Sequence, residues 1–136
     1  ESGSPKILKA MNKKATVEQA RQAILNTRAV GIFPNTTFIF GYPGEDGETV
    51  QETLDFKREL GIKCPSFYAT PYPGTPLFEQ IRHLIPDDFV TRLGNATEYT
   101  INLTDWSDAE LFRQKAKYDF QEDLTQGKVP RPGERG

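Results

Sequence analysis

Apolar residues recur at helical spacing in five stretches and gather into two short β-branched or aromatic runs. Ser4-Pro5 has the form of an N-cap followed by proline at the first helical position. A short helix through Ile7, Leu8 and Met11 follows and stops near Asn12-Lys13-Lys14. Thr16 and Gln19 form a capping-box pattern for a second helix, which runs to about Val30 and buries Val17, Ala20, Ile24 and Thr27 or its neighbours. Gly31 stands where a C-terminal cap glycine belongs. Thr36 to Phe40 reads as a strand covered on both faces. Thr49 and Glu52 have the spacing of another capping box, opening a helix through Val50, Leu54 and Leu60 that ends at Gly61. Pro65 to Thr70 reads as a second strand. Thr75-Pro76 then starts a helix through Leu77, Phe78 and Ile81.

Strands alternating with helices of this length imply parallel βα units, joined by right-handed crossovers. Two strands are too few for a complete sheet, so either the tail supplies a third or the sheet continues outside the chain. Each strand is followed by an irregular loop, Gly41 to Gly47 and Pro71 to Thr75. In parallel α/β folds and barrels that end of the strands binds ligands. Glycine there lets backbone approach a flat ligand, and Pro43 and Pro73 fix the loop shape. From Ile85 the character changes. Tyr99 to Leu103 reads as a short extended segment. Asp105 or Ser107 caps a last helix, about Asp108 to Thr125, with Leu111, Phe112, Ala116, Phe120 and Leu124 at helical spacing. Residues 127–136, rich in Gly, Pro and Arg, read as a flexible tail.

Composition narrows the function classes. The 136 residues carry 17 Lys+Arg against 19 Asp+Glu, a formal charge of -2, which removes the electrostatic case for nucleic-acid binding. No apolar run approaches the roughly 20 residues of a membrane span. The single cysteine, Cys64, excludes an internal disulfide framework, a cysteine zinc site and a self-contained iron–sulfur cluster. Cys64 therefore reads as a buried structural thiol, His83 as a surface residue near a helix terminus, and Trp106 as an anchor for the last helix. Three sequons, at Asn35, Asn95 and Asn102, read as chance, since Asn35 adjoins a strand expected to be buried and no secretory signal is present. The chain opens at Glu1 without an initiator Met, directly on a helix cap, and so reads as a piece of a longer protein.

Three stretches match one family in order and spacing. Glu1-Ser2-Gly3-Ser4-Pro5 with Leu8 and Met11-Asn12-Lys13 resembles the segment after the fourth strand of radical SAM enzymes. Phe38 to Glu45 resembles their fifth-strand segment, and Glu48-Thr49 and Glu52-Thr53 match the pair of Glu-Thr steps next in the family's order. Thr70 to Leu77 resembles the sixth-strand segment. The resemblance covers residues 1–82 and lies nearest the cobalamin-dependent group, which includes anaerobic magnesium-protoporphyrin IX monomethyl ester oxidative cyclases.

The resemblance implies an α/β fold, a partial (β/α) TIM-like barrel with a helical C-terminal extension. Residues 1–84 would be the second half of the radical SAM barrel, 85–126 an extension with a long helix, and 127–136 the tail. It further implies a parent enzyme, cytoplasmic, that binds S-adenosylmethionine (SAM) beside a 4Fe-4S cluster, with cobalamin as a further cofactor of the group. The cluster would reduce the sulfonium for radical or methyl-transfer chemistry on a small molecule, such as oxidative cyclisation of a tetrapyrrole. Glu1 and Ser2 match positions that reach the SAM ribose; a carboxylate suits a ribose because it accepts two hydroxyl hydrogen bonds. Ile39 and Gly41 match positions lining the adenine on one side, and Pro71 and Tyr72 on the other. The family's GxIxGxxE pattern is altered here: Thr37 replaces its first glycine, and the acid falls one position late, at Glu45.

The chain has no CxxxCxxC motif, so it is expected to hold no metal, bind no cofactor stably and have no catalytic residue of its own. A cut barrel leaves a strand edge bare, which predicts self-association. No nucleic-acid or membrane partner is expected. The rival readings are a self-contained small α/β nucleotide- or protein-binding module and a piece of another (β/α) barrel enzyme.

Overall fold

The structure, a computed structural model, describes residues 1–93 and 101–125, and of 92 and 121–125 the backbone alone. The expected tail at 127–136 and residues 99–100 of the expected extended segment lie outside the described residues; 101–103 form no strand. In chain order come α1 (Pro5–Ala10), α2 (Val17–Ala29), β1 (Phe38–Phe40), α3 (Gly47–Glu59), β2 (Ser66–Tyr68), α4 (Pro76–Ile81), two 3-10 turns (Arg82–Leu84, Phe89–Arg92) and α5 (Asp108–Thr125).

The fold is mixed α/β and rich in helix. β1 and β2 form a two-stranded parallel sheet in the register Phe38–Ser66, Ile39–Phe67, Phe40–Tyr68. No barrel is formed among the described residues. Both strands are shorter than the sequence runs that predict them.

Helices cover one face of this sheet. Successive strand side chains point to opposite faces, so Phe38 and Phe40 share one and Ile39 takes the other. Phe38 meets Phe56 of α3 edge-on at 6.3 Å, and Phe40 meets Tyr118 of α5 at 5.2 Å. The core joins these residues to Ile24 of α2, to Val50 and Leu54 of α3, and to Leu111 of α5. α2 is fastened to α3 by Arg21, whose guanidinium grips both carboxylate oxygens of Glu59 at 2.9 and 3.1 Å. Ile39 and Phe67, on the opposite face, are only half-buried.

Local chemistry accounts for the helix ends. Thr16 and Gln19 make the expected capping box. At α3 the box is displaced: Asp46 is the N-cap and Thr49 its third-position partner, not Thr49 with Glu52. A carboxylate followed by glycine offers an earlier and better cap than a buried threonine. Ser4 takes the N-cap position of α1, but its hydroxyl donates to Glu52 at 2.9 Å rather than accepting from its own helix. Ser107, one of the two expected caps of α5, accepts from the Glu110 N–H at 3.2 Å.

The buried face of α5 differs from the expected one. Leu111 and Tyr118 are buried, whereas Phe112 and Phe120 are 45% and 61% exposed and Ala116 is exposed. Residues at i and i+7 share a helix face, and the positions between them on that face, Gln114 and Lys115, are polar. Lys115 lies on that inward side because it has partners there, while the Gln114 amide donates to Glu110 of the same helix at 2.9 Å. The Lys115 ammonium sits 4.9 Å over the Tyr68 ring and pairs with Asp119. Asp119 in turn accepts from the Ser66 N–H and hydroxyl at 3.1 and 2.7 Å. Lys57 of α3 is buried too, and its ammonium donates to the carbonyls of Cys64 and Tyr118 at 3.1 and 3.3 Å. Trp106 anchors the helix as expected, stacked on Phe40 at 6.1 Å.

Candidate functional site: the carboxyl ends of the two strands

β1 is followed by Gly41 and β2 by Ala69, and the two ends are tied where the Ala69 N–H donates to the Phe40 carbonyl at 2.8 Å. The two irregular loops therefore leave the sheet side by side. Gly41 adopts φ 78°, a left-handed conformation that other residues reach only under strain. It is buried, and a Cβ there would stand 3.6 Å from Leu111, so the last helix closes over the first loop.

The first loop is held from both ends. The Glu45 N–H donates to the Tyr42 carbonyl at 2.9 Å, and Asp46 pairs with Lys6 of α1 at 2.8 Å. Lys6 holds the Asp46 carboxyl below its usual range. Between them the Glu45 side chain turns inward, 5% exposed, and accepts from the Thr49 hydroxyl at 2.6 Å. Burial dominates its chemistry and pushes the carboxyl up to about 7, against the opposing pull of Thr49 and the nearby Gly41 amide. Burial, with the Glu45 carboxylate next, raises the pKa of the buried Tyr118 hydroxyl, against the opposing pull of the Thr53 hydroxyl.

The second loop is a capped turn. The Thr75 hydroxyl donates to the Tyr72 carbonyl at 2.6 Å and accepts from the Phe78 N–H at 3.2 Å, joining the loop to α4. Pro71 is fully buried and Tyr72 is 43% exposed. Ile39 is half-buried on the face that the helices leave open.

Glu1 and Ser2 have other attachments. The Glu1 carbonyl accepts from the Ile39 N–H at 2.8 Å, and its carboxylate pairs with Lys13 at 2.8 Å. Ser2 is buried; its hydroxyl lies 3.2 Å from that of Thr53 and accepts from the Ser4 N–H at 3.0 Å. Both residues line a cavity of about 250 Å³ shared with α2, α3 and the approach to β1, which Ile39, Gly41, Pro71 and Tyr72 do not line. The six residues marked by the sequence thus fall into two groups: four at the strand ends and two beside β1.

The Glu1–Ser4 stretch packs on α3 with no room to spare. The Gly3 N–H donates to the Thr53 hydroxyl at 3.0 Å, and a Cβ on Gly3 would stand 2.7 Å from Phe56 Cβ and 2.8 Å from Thr53 Cα. Gly3→Ala must push backbone apart and is expected to cost about 1–3 kcal/mol, read as a lower urea midpoint at unchanged slope. An unchanged midpoint would show that this contact yields freely.

The residues present do not fit a 4Fe-4S cluster. The chain has one cysteine, and Cys64 precedes the amino end of β2, opposite the two loops. Cys64 is half-buried and lies 3.6 Å from the Thr36 hydroxyl. No group of three or more His, Cys, Asp and Glu suited to a metal occurs among the described residues. His83 is exposed in the turn after α4. Asn35, expected beside a buried strand, is exposed, because it precedes β1 on irregular backbone. The Asn102 amide donates to the Trp106 carbonyl at 2.7 Å. No described helix is long and apolar enough to cross a membrane.

Two parallel strands, each followed by a loop at its carboxyl end, define a class of α/β scaffold. The family model of the radical SAM superfamily matches residues 1–56. Among curated relatives, an uncharacterized methyltransferase of Pyrococcus horikoshii is 40% identical over 80 residues, 58% of this chain and 17% of its own. The tRNA-2-methylthio-N(6)-dimethylallyladenosine synthase of Paracoccus denitrificans is 40% identical over 83 residues, 59% of this chain and 19% of its own. That of Rickettsia canadensis is 43% identical over 79 residues, 56% of this chain and 18% of its own. The matched stretch thus spans under a fifth of the length of these relatives.

Proposed function

We propose that this chain is the later part of the catalytic domain, a (β/α) barrel, of a longer radical SAM enzyme. In this reading the loops after β1 and β2 form the adenosyl side of its SAM site. The match over residues 1–56 carries the reading, and the side-by-side loops at the strand ends support it. Ile39 and Tyr72 supply an apolar wall for a flat base, Gly41 and Pro71, both buried, shape the loops that carry it, and Glu1 and Ser2 form its polar border. Glu1 reaches a ribose only by releasing Lys13, and Ser2 only by releasing Thr53. The share of the chemistry that falls to this chain is binding and orientation. Thiolate ligands for a cluster belong to other parts of the enzyme.

For the whole enzyme we assign methyl or methylthio transfer in the cytoplasm, a transfer in keeping with the names of its relatives. Cobalamin-assisted cyclisation of a tetrapyrrole is the narrower alternative suggested by the motifs. Incubating the reconstituted full-length enzyme with SAM and a low-potential reductant tests the reading. 5′-Deoxyadenosine or S-adenosylhomocysteine, formed only with reduced enzyme, is expected. Intact SAM would overturn it. The chain alone is expected to stay colourless after iron–sulfide reconstitution, and a stoichiometric cluster absorbance would contradict that.

A further inference from the structure

Glu45 joins both ends of the first loop from beneath it. Its carboxyl takes a hydrogen bond from the Gly41 amide at the start of the loop and meets the Thr49 hydroxyl, in the first turn of α3, at 2.6 Å. The groups that face it are Asp46 beside it, Lys6 from α1 and the Tyr118 hydroxyl from α5. Lys6 is paired with Asp46 at 2.8 Å, and Glu45 itself makes no ion pair among the described residues. All of these groups belong to this chain, and they already leave the carboxyl's residue only 5% exposed.

The hydrogen bonds at Thr49 turn on one proton. Its hydroxyl accepts from the Asp46 N–H at 2.9 Å, which is half of the α3 capping box. It has a single proton to give, and two acceptors lie within reach: the Glu45 carboxyl at 2.6 Å and the Asp46 carbonyl at 3.0 Å. An ionised Glu45 takes that proton and leaves the Asp46 carbonyl to the Val50 N–H, at 3.0 Å. A protonated Glu45 donates to the Thr49 oxygen instead, and Thr49 turns its own proton to Asp46. Only the protonated form makes all three contacts of the Thr49 hydroxyl at once. The ionised form also buries a charge that no cation pairs with, which is the costly case. Turning the carboxylate out to water, with the loop that carries it, relieves that cost.

We propose that Glu45 is a positioning residue: its proton keeps the first loop folded against α3 and α5, and a ligand held by that loop is released as the proton leaves. This rests on the adenosyl reading of the strand ends. Gly41 begins the loop beside the wall for the base, so opening the loop takes away that side of the site. Above pH 7, where Glu45 in the free loop is ionised, binding then takes up a proton.

Equilibrium dialysis of SAM against the reconstituted full-length enzyme at pH 6 and pH 8 tests this, with Glu45→Gln alongside. The glutamine amide has a donor and an acceptor but no proton to lose. The parent's affinity relative to the variant's is expected to fall about tenfold between the two, as one group titrating near 7 requires. Hydrogen–deuterium exchange of the ligand-free enzymes, corrected for the intrinsic base-catalysed rate, reads the loop separately. The amides of Gly41, Glu45 and Asp46 are expected to lose protection at pH 8 in the parent alone. The same pH course in both enzymes, or a parent loop equally protected at both pH values, would overturn the proposal and leave the adenosyl reading standing. A loop that opens with pH while SAM affinity stays level would overturn that reading, and the proposal with it.

Discussion

Phe40→Ala is expected to remove about 3–5 kcal/mol, a large share of the roughly 5–15 kcal/mol that holds a domain folded. Phe40 is fully buried where β1, β2 and α5 meet. Its ring lies edge-on to Tyr68 at 6.1 Å and to Tyr118 at 5.2 Å, and stacks on Trp106 at 6.1 Å. Each such pair contributes about 0.5–1.5 kcal/mol beyond the area it buries. Truncation therefore opens a cavity and frees the start of α5 together. Trp106 is the sole tryptophan, so its emission reports the site directly. A lower urea midpoint with red-shifted native emission is expected. A loss under about 1 kcal/mol with unshifted emission would mean that α5 docks by other contacts.

Glu45→Gln is expected to change how stability depends on pH. The folded carboxyl titrates near 7 because it is buried, above its ordinary value of 4.5. The native state thus favours the protonated form. Its contribution is fully present below about pH 4.5 and is lost as pH rises through 7. A shift of that size corresponds to about 3 kcal/mol between the two limits. Asp46, the nearest acid, is held below its usual range by Lys6 and titrates outside this window. The unsubstituted chain is expected to be less stable at pH 8 than at pH 5, and the glutamine chain nearly level, since a neutral amide still accepts from Thr49. Parallel curves for the two chains would place the ionised carboxylate in water and remove Glu45 from the interior.

The order of elements was legible because it rests on local signals. Thr16 with Gln19, Pro5, Pro76 and the run Phe38–Phe40 each dictate backbone behaviour within one turn or strand. The errors lie where distant partners decide. Glu52 matched a capping box by spacing, yet Ser4, 48 positions away, claims its carboxylate. Polar Lys115 faces inward on α5 because Tyr68 and Asp119 receive it there, which no helical period reveals.

At the site, the two loops and the half-buried Ile39 stand where the strand ends foretold. The separation of Glu1 and Ser2 from them was not legible, since it depends on Lys13 and Thr53. Glu45 was visible only as a displaced family acid. Its burial arises from the turn at Tyr42 and the cap at Asp46, and a glutamate one residue before an Asp cap was the available signal.

Hydrogen–deuterium exchange of the reconstituted full-length enzyme, with and without SAM, tests most directly whether the strand ends form the adenosyl side of the site. SAM is predicted to slow exchange at the amides of Gly41 to Asp46 and of Tyr72 and Gly74, leaving α2 unchanged. Protection elsewhere in the enzyme with both loops unaltered would contradict the assignment.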